Sequence, residues 1–290
     1  MAYDLITILG PTATGKTHLA ARLAYSCNGE IISADSRQVY RGMDIGTGKD
    51  LNDYFIDGKK INYHLIDIAD PKEEFNLFNF KQLFYKSYNQ IKMLGKIPFL
   101  VGGTGLYLSA VIQNYSLKAA DRSDEKIRDL ESLHDDQLLQ LLKSKKYKLH
   151  NITDSTDRSR MIEAILIADS KRIHNVDENI NSFNLGVSFP REEIKKRITE
   201  RLRKRLSEGM IEEVEKLINK GISYEKLTFF GLEYKYISFY LKGELNYNDL
   251  FQKLNSAIHN YAKRQMTWFR KMEKEGVKIF WINGNDFDEA

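Results

Sequence analysis

Short apolar runs alternate with longer amphipathic stretches through the first third of the chain. Leu5–Leu9 and Ile31–Ala34 have the length and unbroken hydrophobicity of strands covered on both faces. Between them, leucine and alanine recur at helical spacing, which predicts a helix over residues 15–25. Such alternation predicts an α/β fold, a parallel sheet flanked by helices that binds ligands at the carboxyl ends of its strands. The pattern continues with predicted strands at Leu65–Ile68 and Ile97–Val101 and predicted helices at Leu77–Leu94 and Leu106–Ile112.

The alternation stops near Tyr115, and the pattern from 121 to 170 is helical, polar and charged. We therefore predict a core built from residues 1–115 and 183–290, interrupted by a helical insertion domain over residues 116–182. The second part of the core carries a predicted strand at Phe183–Phe189, predicted helices at Arg191–Lys220 and Tyr247–Lys274, and a last strand at Val277–Ile282.

Composition excludes several classes of protein. Apolar residues make up 42% and charged residues 29%, which excludes a disordered chain. The single cysteine, Cys27, excludes an intrachain disulfide and favours a reducing compartment. The start, Met1–Asp4, lacks the basic residues of a secretory signal, and Pro98 and three glycines interrupt the uncharged stretch 97–117. We expect a cytoplasmic monomer without a membrane span.

Positive charge is concentrated locally, although the net charge is only +4. Residues 195–205 hold seven basic side chains and one acidic one, and residues 261–278 hold six basic and two acidic. Such clusters favour a polyanion partner, either phosphate groups or nucleic acid. A solvated helix face is the alternative interpretation.

Residues 10–17, GPTATGKT, match the phosphate-loop pattern G-x-x-x-x-G-K-[ST] between a predicted strand and a predicted helix. The glycines let backbone N–H groups face a phosphate at the positive end of the helix. Lys16 would neutralise phosphate oxygens, and the Thr17 hydroxyl would ligate Mg²⁺. The predicted ligands of a diphosphate or triphosphate are therefore Gly10, Pro11, Thr12, Ala13, Thr14, Gly15, Lys16 and Thr17.

Two more loops follow predicted strands. Asp35 stands at the carboxyl end of the second strand, where a carboxylate suits a Mg²⁺ ligand or a general base. An aspartate that caps a turn is the structural alternative. The loop Gly102–Gly105 follows another strand and leaves room for a ligand, a weak signal by itself.

Five motifs together resemble the tRNA dimethylallyltransferases. They are GPTATGKT at 10–17, ADSRQVYRGMDIGTGK at 34–49, HLIDIADP at 64–71, VGGTGLY at 101–107 and YAKRQMTWFR at 261–270. The resemblance implies transfer of a dimethylallyl group from dimethylallyl diphosphate to N6 of the adenosine 3′-adjacent to the anticodon, in tRNAs that read codons beginning with U. It implies Mg²⁺ as cofactor and the donor's diphosphate, not ATP, in the phosphate loop.

The resemblance also implies roles for single residues. Asp35 is the base, Thr104 helps to hold the acceptor, and Lys16 completes the catalytic set. Arg201 binds the diphosphate, with a solvated helix face as the alternative. The target adenine must leave its stack in the tRNA to reach a pocket of the protein. Core packing is the alternative role for Trp268. The implied contacts to tRNA are Asp35, Ser36, Arg37, Gln38, Thr104, Arg128, Arg160, Lys263, Arg264, Gln265, Trp268 and Arg270.

The insertion departs from the family's pattern. Arg160 is kept, but Glu163 stands where the family has a second arginine, and a carboxylate cannot replace a guanidinium against phosphate. Arg205 stands where relatives often carry a hydrophobic residue, which adds positive charge.

Three rival functions stay open at the level of sequence. A small-molecule kinase would bind ATP in the loop, with Asp67 as a candidate Mg²⁺ ligand, but leaves the basic segment 261–278 unexplained. An RNA-binding P-loop NTPase would need a second hydrolysis motif, and no clear one accompanies the loop. Enzymes that prenylate free adenine nucleotides share the loop, so the acceptor needs its own test.

Overall fold

The chain divides into two compact units. A computed structural model describes residues 3–115, 123–145, 158–169, 179–284 and 287–290. One unit comprises Met1–Asn114 and Asn179–Ala290, and the other comprises Tyr115–Glu178.

The larger unit is built on a sheet of six parallel strands within the described residues, in the order β5-β2-β6-β1-β7-β8. The predicted parallel α/β sheet is confirmed. The strands are β1 (Leu5–Leu9), β2 (Gly29–Ala34), β5 (Tyr63–His64), β6 (Ile97–Gly102), β7 (Ser182–Ser188) and β8 (Phe280–Asn283), with a separate antiparallel pair of β3 (Phe55–Ile56) and β4 (Lys59–Lys60).

Helices cover both faces of this sheet and continue into a helical layer of their own. In the larger unit they are α1 (Lys16–Ser26), a 3-10 turn at Leu51–Tyr54, α2 (Leu77–Met93), α3 (Gly105–Ile112), α7 (Arg191–Ser207), α8 (Met210–Asn219), α9 (Tyr224–Phe229), α10 (Leu232–Leu241) and α11 (Tyr247–Lys274). The smaller unit contains α4 (Asp124–Glu131), α5 (Asp135–Ser144) and α6 (Arg158–Asp169). No helix in the described ranges is long and apolar enough to cross a membrane.

Neighbouring residues of the central strands point to opposite faces, so each strand serves two cores. Ile31 packs with Leu19 of α1 on one face, whereas Ile32 packs with Phe80 of α2 and Phe269 of α11 on the other. This double burial explains why these strands are continuous apolar runs. The helical layer, α7 to α11, has its own core, and so does the smaller unit.

The register brings the carboxyl ends of three strands to one level. Gly102 at the end of β6 pairs with Ala34 of β2 on one side and with Leu9 of β1 on the other. The residues that follow these three are Asp35, Gly103 and Gly10. The sheet therefore assembles the three loops that the sequence singles out.

The predicted strand at Leu65–Ile68 is wrong. Leu65 and Asp67 have a left-handed backbone, with φ of 64° and 55°, which cannot continue a β-strand. The strand lies earlier, at Tyr63–His64, and the next residues turn to form a bridge between Tyr40 and Ala69.

The predicted long helix over Arg191–Lys220 is also wrong as one element. It is broken at Gly209, whose φ of 98° suits glycine and ends the run of helical backbone. Two helices result, α7 and α8, so that α8 can pack its apolar side into the helical layer. The predicted helix Tyr247–Lys274 is confirmed over its whole length.

A buried carboxylate ties β2 to both of its neighbours. Glu30 is 3% exposed and accepts hydrogen bonds from Lys96 at 2.7 Å and Asn62 at 2.9 Å, while His64 Nε2 lies 2.8 Å away. Burial raises the pKa of Glu30, but these hydrogen bonds outweigh it and lower the pKa to about 2. The folded state therefore favours the ionised carboxylate.

Replacing Glu30 with glutamine removes this titration. The folded pKa lies below the unfolded value, so the carboxylate contributes stability above about pH 4.5 that is lost as the pH falls towards 2. We expect Glu30→Gln to lower the free energy of unfolding by about 3 kcal/mol at pH 7. Urea unfolding between pH 3 and 7 should show the two proteins converging in acid, and a constant difference across that range would contradict the assignment.

Candidate active site

The phosphate loop curls between β1 and α1. Ala13 and Gly15 have a left-handed backbone, with φ of 65° and 76°, a geometry that forms an anion-binding concavity. The Thr14 hydroxyl donates to the carbonyl of Pro11 at 3.0 Å, and the Lys16 ammonium donates to the same carbonyl at 3.2 Å. Lys16 therefore folds back over the loop that precedes it.

Lys16 is surrounded by charge of both signs. Its pKa is lowered to about 8, mainly by burial and also by the positive charge of Arg201, while the negative charge of Asp35 opposes this lowering. An anionic ligand in the loop would favour the protonated lysine. Lys16 thus senses the charges of Arg201 and Asp35 although the three residues are far apart in sequence.

Arg201 reaches the phosphate loop from α7. Its Nη1 lies 3.5 Å from Thr12 Oγ1, and its Nη2 donates to Asp50 Oδ2 at 2.7 Å and to the carbonyl of Gly48 at 3.3 Å. The alternative of a solvated helix face therefore does not describe this side chain.

Arg197 lies one helical turn before Arg201 and also holds the loop. Its Nε donates to the carbonyl of Ala13 at 2.8 Å, and its guanidinium stacks on Phe189 at 4.4 Å. No role for Arg197 is predicted from the sequence. The four-residue spacing from Arg201 was the available signal, since it puts both side chains on one side of the helix.

Asp35 uses its two carboxylate oxygens differently. Oδ1 accepts hydrogen bonds from the N–H groups of Arg37 at 2.8 Å and Gln38 at 3.2 Å. The structural alternative, a turn cap, is thus part of its role. Within the described residues Oδ2 accepts no hydrogen bond, so it is available to take a proton.

Thr104 links the Gly102–Gly105 loop to the Asp35 turn. Its hydroxyl accepts a hydrogen bond from the N–H of Ser36 at 3.2 Å, and its own N–H donates to the carbonyl of Ala34 at 3.3 Å. The Gln38 side chain continues the network by donating to the carbonyl of Gly48 at 3.2 Å.

Gln265 joins two of the loops through both ends of its amide. Its Oε1 accepts from the N–H of Thr12 at 2.9 Å, and its Nε2 donates to the carbonyl of Gly103 at 2.8 Å. A Cβ atom at Gly103 would lie 2.4 Å from Nε2, so only glycine allows this approach. The residue is buried. Both ends of the amide are thus used inside the protein, and contact of Gln265 with tRNA stays a prediction.

Trp268 packs against the same loop. Its ring lies over Gly105, where a Cβ atom would come within 2.4 Å, and its Nε1 donates to the hydroxyl of Ser109 at 2.8 Å. Core packing, the alternative role, therefore describes much of this side chain.

A family model described as IPP transferase matches residues 38–272, and a second, described as isopentenyl transferase, matches residues 3–67. Together they cover the phosphate loop, the Asp35 turn and all but the last two residues of α11. The chain belongs to the IPP transferase family.

Relatives in this family cover nearly the whole chain. A protein named tRNA dimethylallyltransferase 1 from Geotalea uraniireducens is 49% identical over 98% of this chain and 94% of its own. The structure of a full-length tRNA isopentenylpyrophosphate transferase from Bacillus halodurans is similar, with a TM-score of 0.71 and 33% identity over 99% of this chain and 93% of its own.

A eukaryotic dimethylallyltransferase acting on tRNA shares the fold, with a TM-score of 0.77, 23% identity, and coverage of 97% of this chain and 74% of its own. Membership of the family agrees with the resemblance that the sequence motifs carry.

Other family positions lie on the surface. Lys263, Arg264 and Arg270 are exposed on α11. Arg37 stacks on Phe229, with its Cζ atom 4.7 Å from the ring centroid. Their contact with tRNA stays a prediction.

Two of the predicted tRNA contacts, Arg128 and Arg160, lie in the smaller unit. Arg128 is exposed on α4. Arg160 and Glu163 lie on α6, but their side chains fall outside the described residues. These assignments also stay predictions.

Asp67, the candidate Mg²⁺ ligand of a kinase, is committed elsewhere. Its carboxylate accepts from the buried ammonium of Lys49, which also donates to Asp44 at 2.7 Å and to the carbonyl of Tyr40 at 3.0 Å. One carboxylate oxygen of Asp67 is therefore already paired with Lys49, which does not favour Asp67 as the Mg²⁺ ligand of a kinase.

The loop that carries Gly48 and Asp50 is anchored from α8. The buried carboxylate of Glu213 accepts from three consecutive backbone N–H groups, those of residues 44, 45 and 46, at 2.8, 2.7 and 3.0 Å. Tyr234 donates to the same carboxylate at 2.8 Å. The role of Glu213 is not predictable from the sequence, because nothing in its local sequence distinguishes it from neighbouring surface glutamates.

Replacing Gln265 with leucine should loosen the site. The N–H of Thr12 and the carbonyl of Gly103 lose their partner inside the protein, and we expect the free energy of unfolding to fall by about 2 kcal/mol. Gln252→Leu is the matched control, since it makes the same change on an exposed position of α11 and should stay within about 0.5 kcal/mol of the parent. Urea unfolding measures the free energy of unfolding of the three proteins. Equal losses in the two variants would show that the hydrogen bonds of Gln265 add no stability.

Proposed function

We propose that this protein transfers a dimethylallyl group from dimethylallyl diphosphate to N6 of the adenosine 3′-adjacent to the anticodon, in tRNAs that read codons beginning with U. The observation that carries the proposal is that Lys16 and Arg201 border the phosphate loop, while Asp35, with Oδ2 available, follows β2 at the same edge of the sheet. The names of the relatives support it, because they are tRNA dimethylallyltransferases.

The geometry suits displacement at an allylic carbon. The N6 nitrogen forms a bond to C1 of the dimethylallyl group, the bond from C1 to the diphosphate oxygen breaks, and the diphosphate leaves with the electron pair. The proton released from N6 passes to Oδ2 of Asp35. Lys16, Arg201 and the loop N–H groups stabilise the charge that develops on the departing oxygen.

Mg²⁺ is the proposed cofactor, and Thr17 would hold it. The Thr17 hydroxyl lies at the start of α1, and no group of three His, Cys, Asp or Glu side chains in the described residues forms a metal site. A single protein hydroxyl fits a cation that is bound mainly through substrate phosphates and water, as Mg²⁺ commonly is. When bound, Mg²⁺ would neutralise charge on the diphosphate.

The polyanion partner is proposed to be the anticodon stem-loop of tRNA. Lys263, Arg264 and Arg270 put exposed cations along α11, the helix that also carries Gln265 into the site. Cations along one helix suit phosphate contacts. Acting on tRNA as a monomer in the cytoplasm is part of the same proposal.

The decisive experiment supplies the protein with radiolabelled dimethylallyl diphosphate, Mg²⁺ and total tRNA. Label that moves to tRNA supports the proposal, whereas label that moves only to added AMP, ADP or ATP identifies free nucleotides as the acceptor. Turnover of ATP without prenyl transfer would favour one of the phosphate-loop rivals.

Asp35→Asn should slow the chemistry and spare binding. Asparagine keeps the hydrogen bonds to the backbone but cannot accept the proton, so we expect transfer to fall about 10²–10⁴-fold with little change in tRNA affinity. Single-turnover transfer and tRNA binding measure the two effects. Turnover near that of the parent would remove Asp35 from its proposed role.

The salt dependence of tRNA binding should separate the two basic segments. Binding releases condensed counterions at each phosphate contact, so a variant that makes one contact fewer releases fewer of them. Lys263→Ala or Arg264→Ala should therefore lower tRNA affinity and flatten its log–log salt slope by about one unit. Arg201→Ala should weaken donor binding and leave that slope unchanged. Affinities at several salt concentrations test this, and equal slopes in all three variants would contradict the division.

A further inference from the structure

A second arginine lies behind Arg201, buried in the protein. Arg205 is one helical turn further along α7 and only 9% exposed. Its Nη1 lies 3.7 Å from Oε1 of Glu233, at the start of α10. Its Nε and Nη2 are buried without a hydrogen-bond partner in the part of the chain that the structure describes. The guanidinium is thus incompletely satisfied.

Arg205 and Arg201 converge on the same glycine. A Cβ atom at Gly48 would lie 1.5 Å from Nη2 of Arg205 and 2.5 Å from Nη2 of Arg201, so any side chain there would collide with both. Gly48 also has a φ of 64°, which suits glycine. The two guanidinium groups are close neighbours, and Arg201 extends from them to the phosphate loop.

This arrangement is unfavourable for the fold alone. Burial lowers the pKa of Arg205 to about 10, and the like charge of Arg201 contributes to the lowering, although Glu233 opposes it. Buried donors without partners and adjacent like charges both cost stability, and an apolar side chain of similar length would avoid both costs. An anion in front of Arg201 would turn the same positive charge into an attractive one.

We propose that Arg205 strengthens binding of the donor's diphosphate through its charge, acting from behind Arg201 without touching the ligand, and that Glu233 limits this effect. The inference rests on the proposed function in one respect, that a diphosphate occupies the phosphate loop. Charges inside a protein act over several ångströms because the surroundings screen them weakly.

A purely structural role for the pair makes a different prediction. If Arg205 and Glu233 only tie α7 to α10, removing either partner breaks the same link, and both changes should affect ligand binding in the same direction. If charge is what matters, removing the cation should weaken binding of the anion, and removing the acid should strengthen it. The signs of the two effects therefore distinguish the roles.

The experiment measures the dissociation constant of inorganic diphosphate for the full chain by calorimetry, at pH 7.5 with excess Mg²⁺. Arg205→Met should bind about tenfold more weakly, and Arg205→Lys, which keeps the charge, should remain within about threefold of the parent. Glu233→Gln should bind a few-fold more tightly. Arg203→Met is the matched control, because Arg203 is exposed on α7 beside Phe251 and should leave the constant unchanged.

Unchanged binding in Arg205→Met, or weaker binding in both Arg205→Met and Glu233→Gln, would overturn the inference. Thermal melting checks that each variant folds, and if Arg205→Met does not fold, the sign of the Glu233→Gln effect still decides. The acceptor plays no part in this measurement. A parent protein that binds diphosphate but prenylates no tRNA would therefore overturn the proposed function and leave this inference standing.

Discussion

The site depends on the two hydrogen bonds of the Gln265 amide. One bond holds the phosphate loop and the other holds the loop after β6, so a helix from the end of the chain fixes the distance between two loops from its beginning. The aligned ends of β1, β2 and β6 bring these loops together, and Gly103 lets the amide come close. The site is therefore complete only when α11 is docked on the sheet.

Charge is arranged around this frame in layers. Lys16 and Arg201 border the phosphate loop, and Asp35 follows β2 at the same edge of the sheet, with one oxygen used by its own turn. The loop that includes Gly48 contacts Arg201 and is held from α8 by Glu213. Lys16, Arg197 and Arg201 are each held by a backbone carbonyl or a carboxylate, and they need little rearrangement to meet an anion.

The sequence predicts the sheet and the phosphate loop well, since both depend on local patterns. The left-handed residues Leu65 and Asp67 could not be predicted, because their segment is as apolar as a strand and only tertiary contacts impose the turn. The roles of Gln265 and Glu213 in holding the loops could not be predicted from the sequence either. Each binds backbone groups more than 150 residues away, and a glutamine or glutamate that does so resembles an exposed one in sequence.

Asp50 gives Arg201 a partner before any ligand arrives. A diphosphate bound as proposed would gain only the difference between two ion pairs, so its binding would be weaker than the number of nearby cations suggests. After the proposed transfer, the same carboxylate would compete with the departing diphosphate for the guanidinium. Asp50 would thereby shorten the residence time of the product and hasten the next cycle.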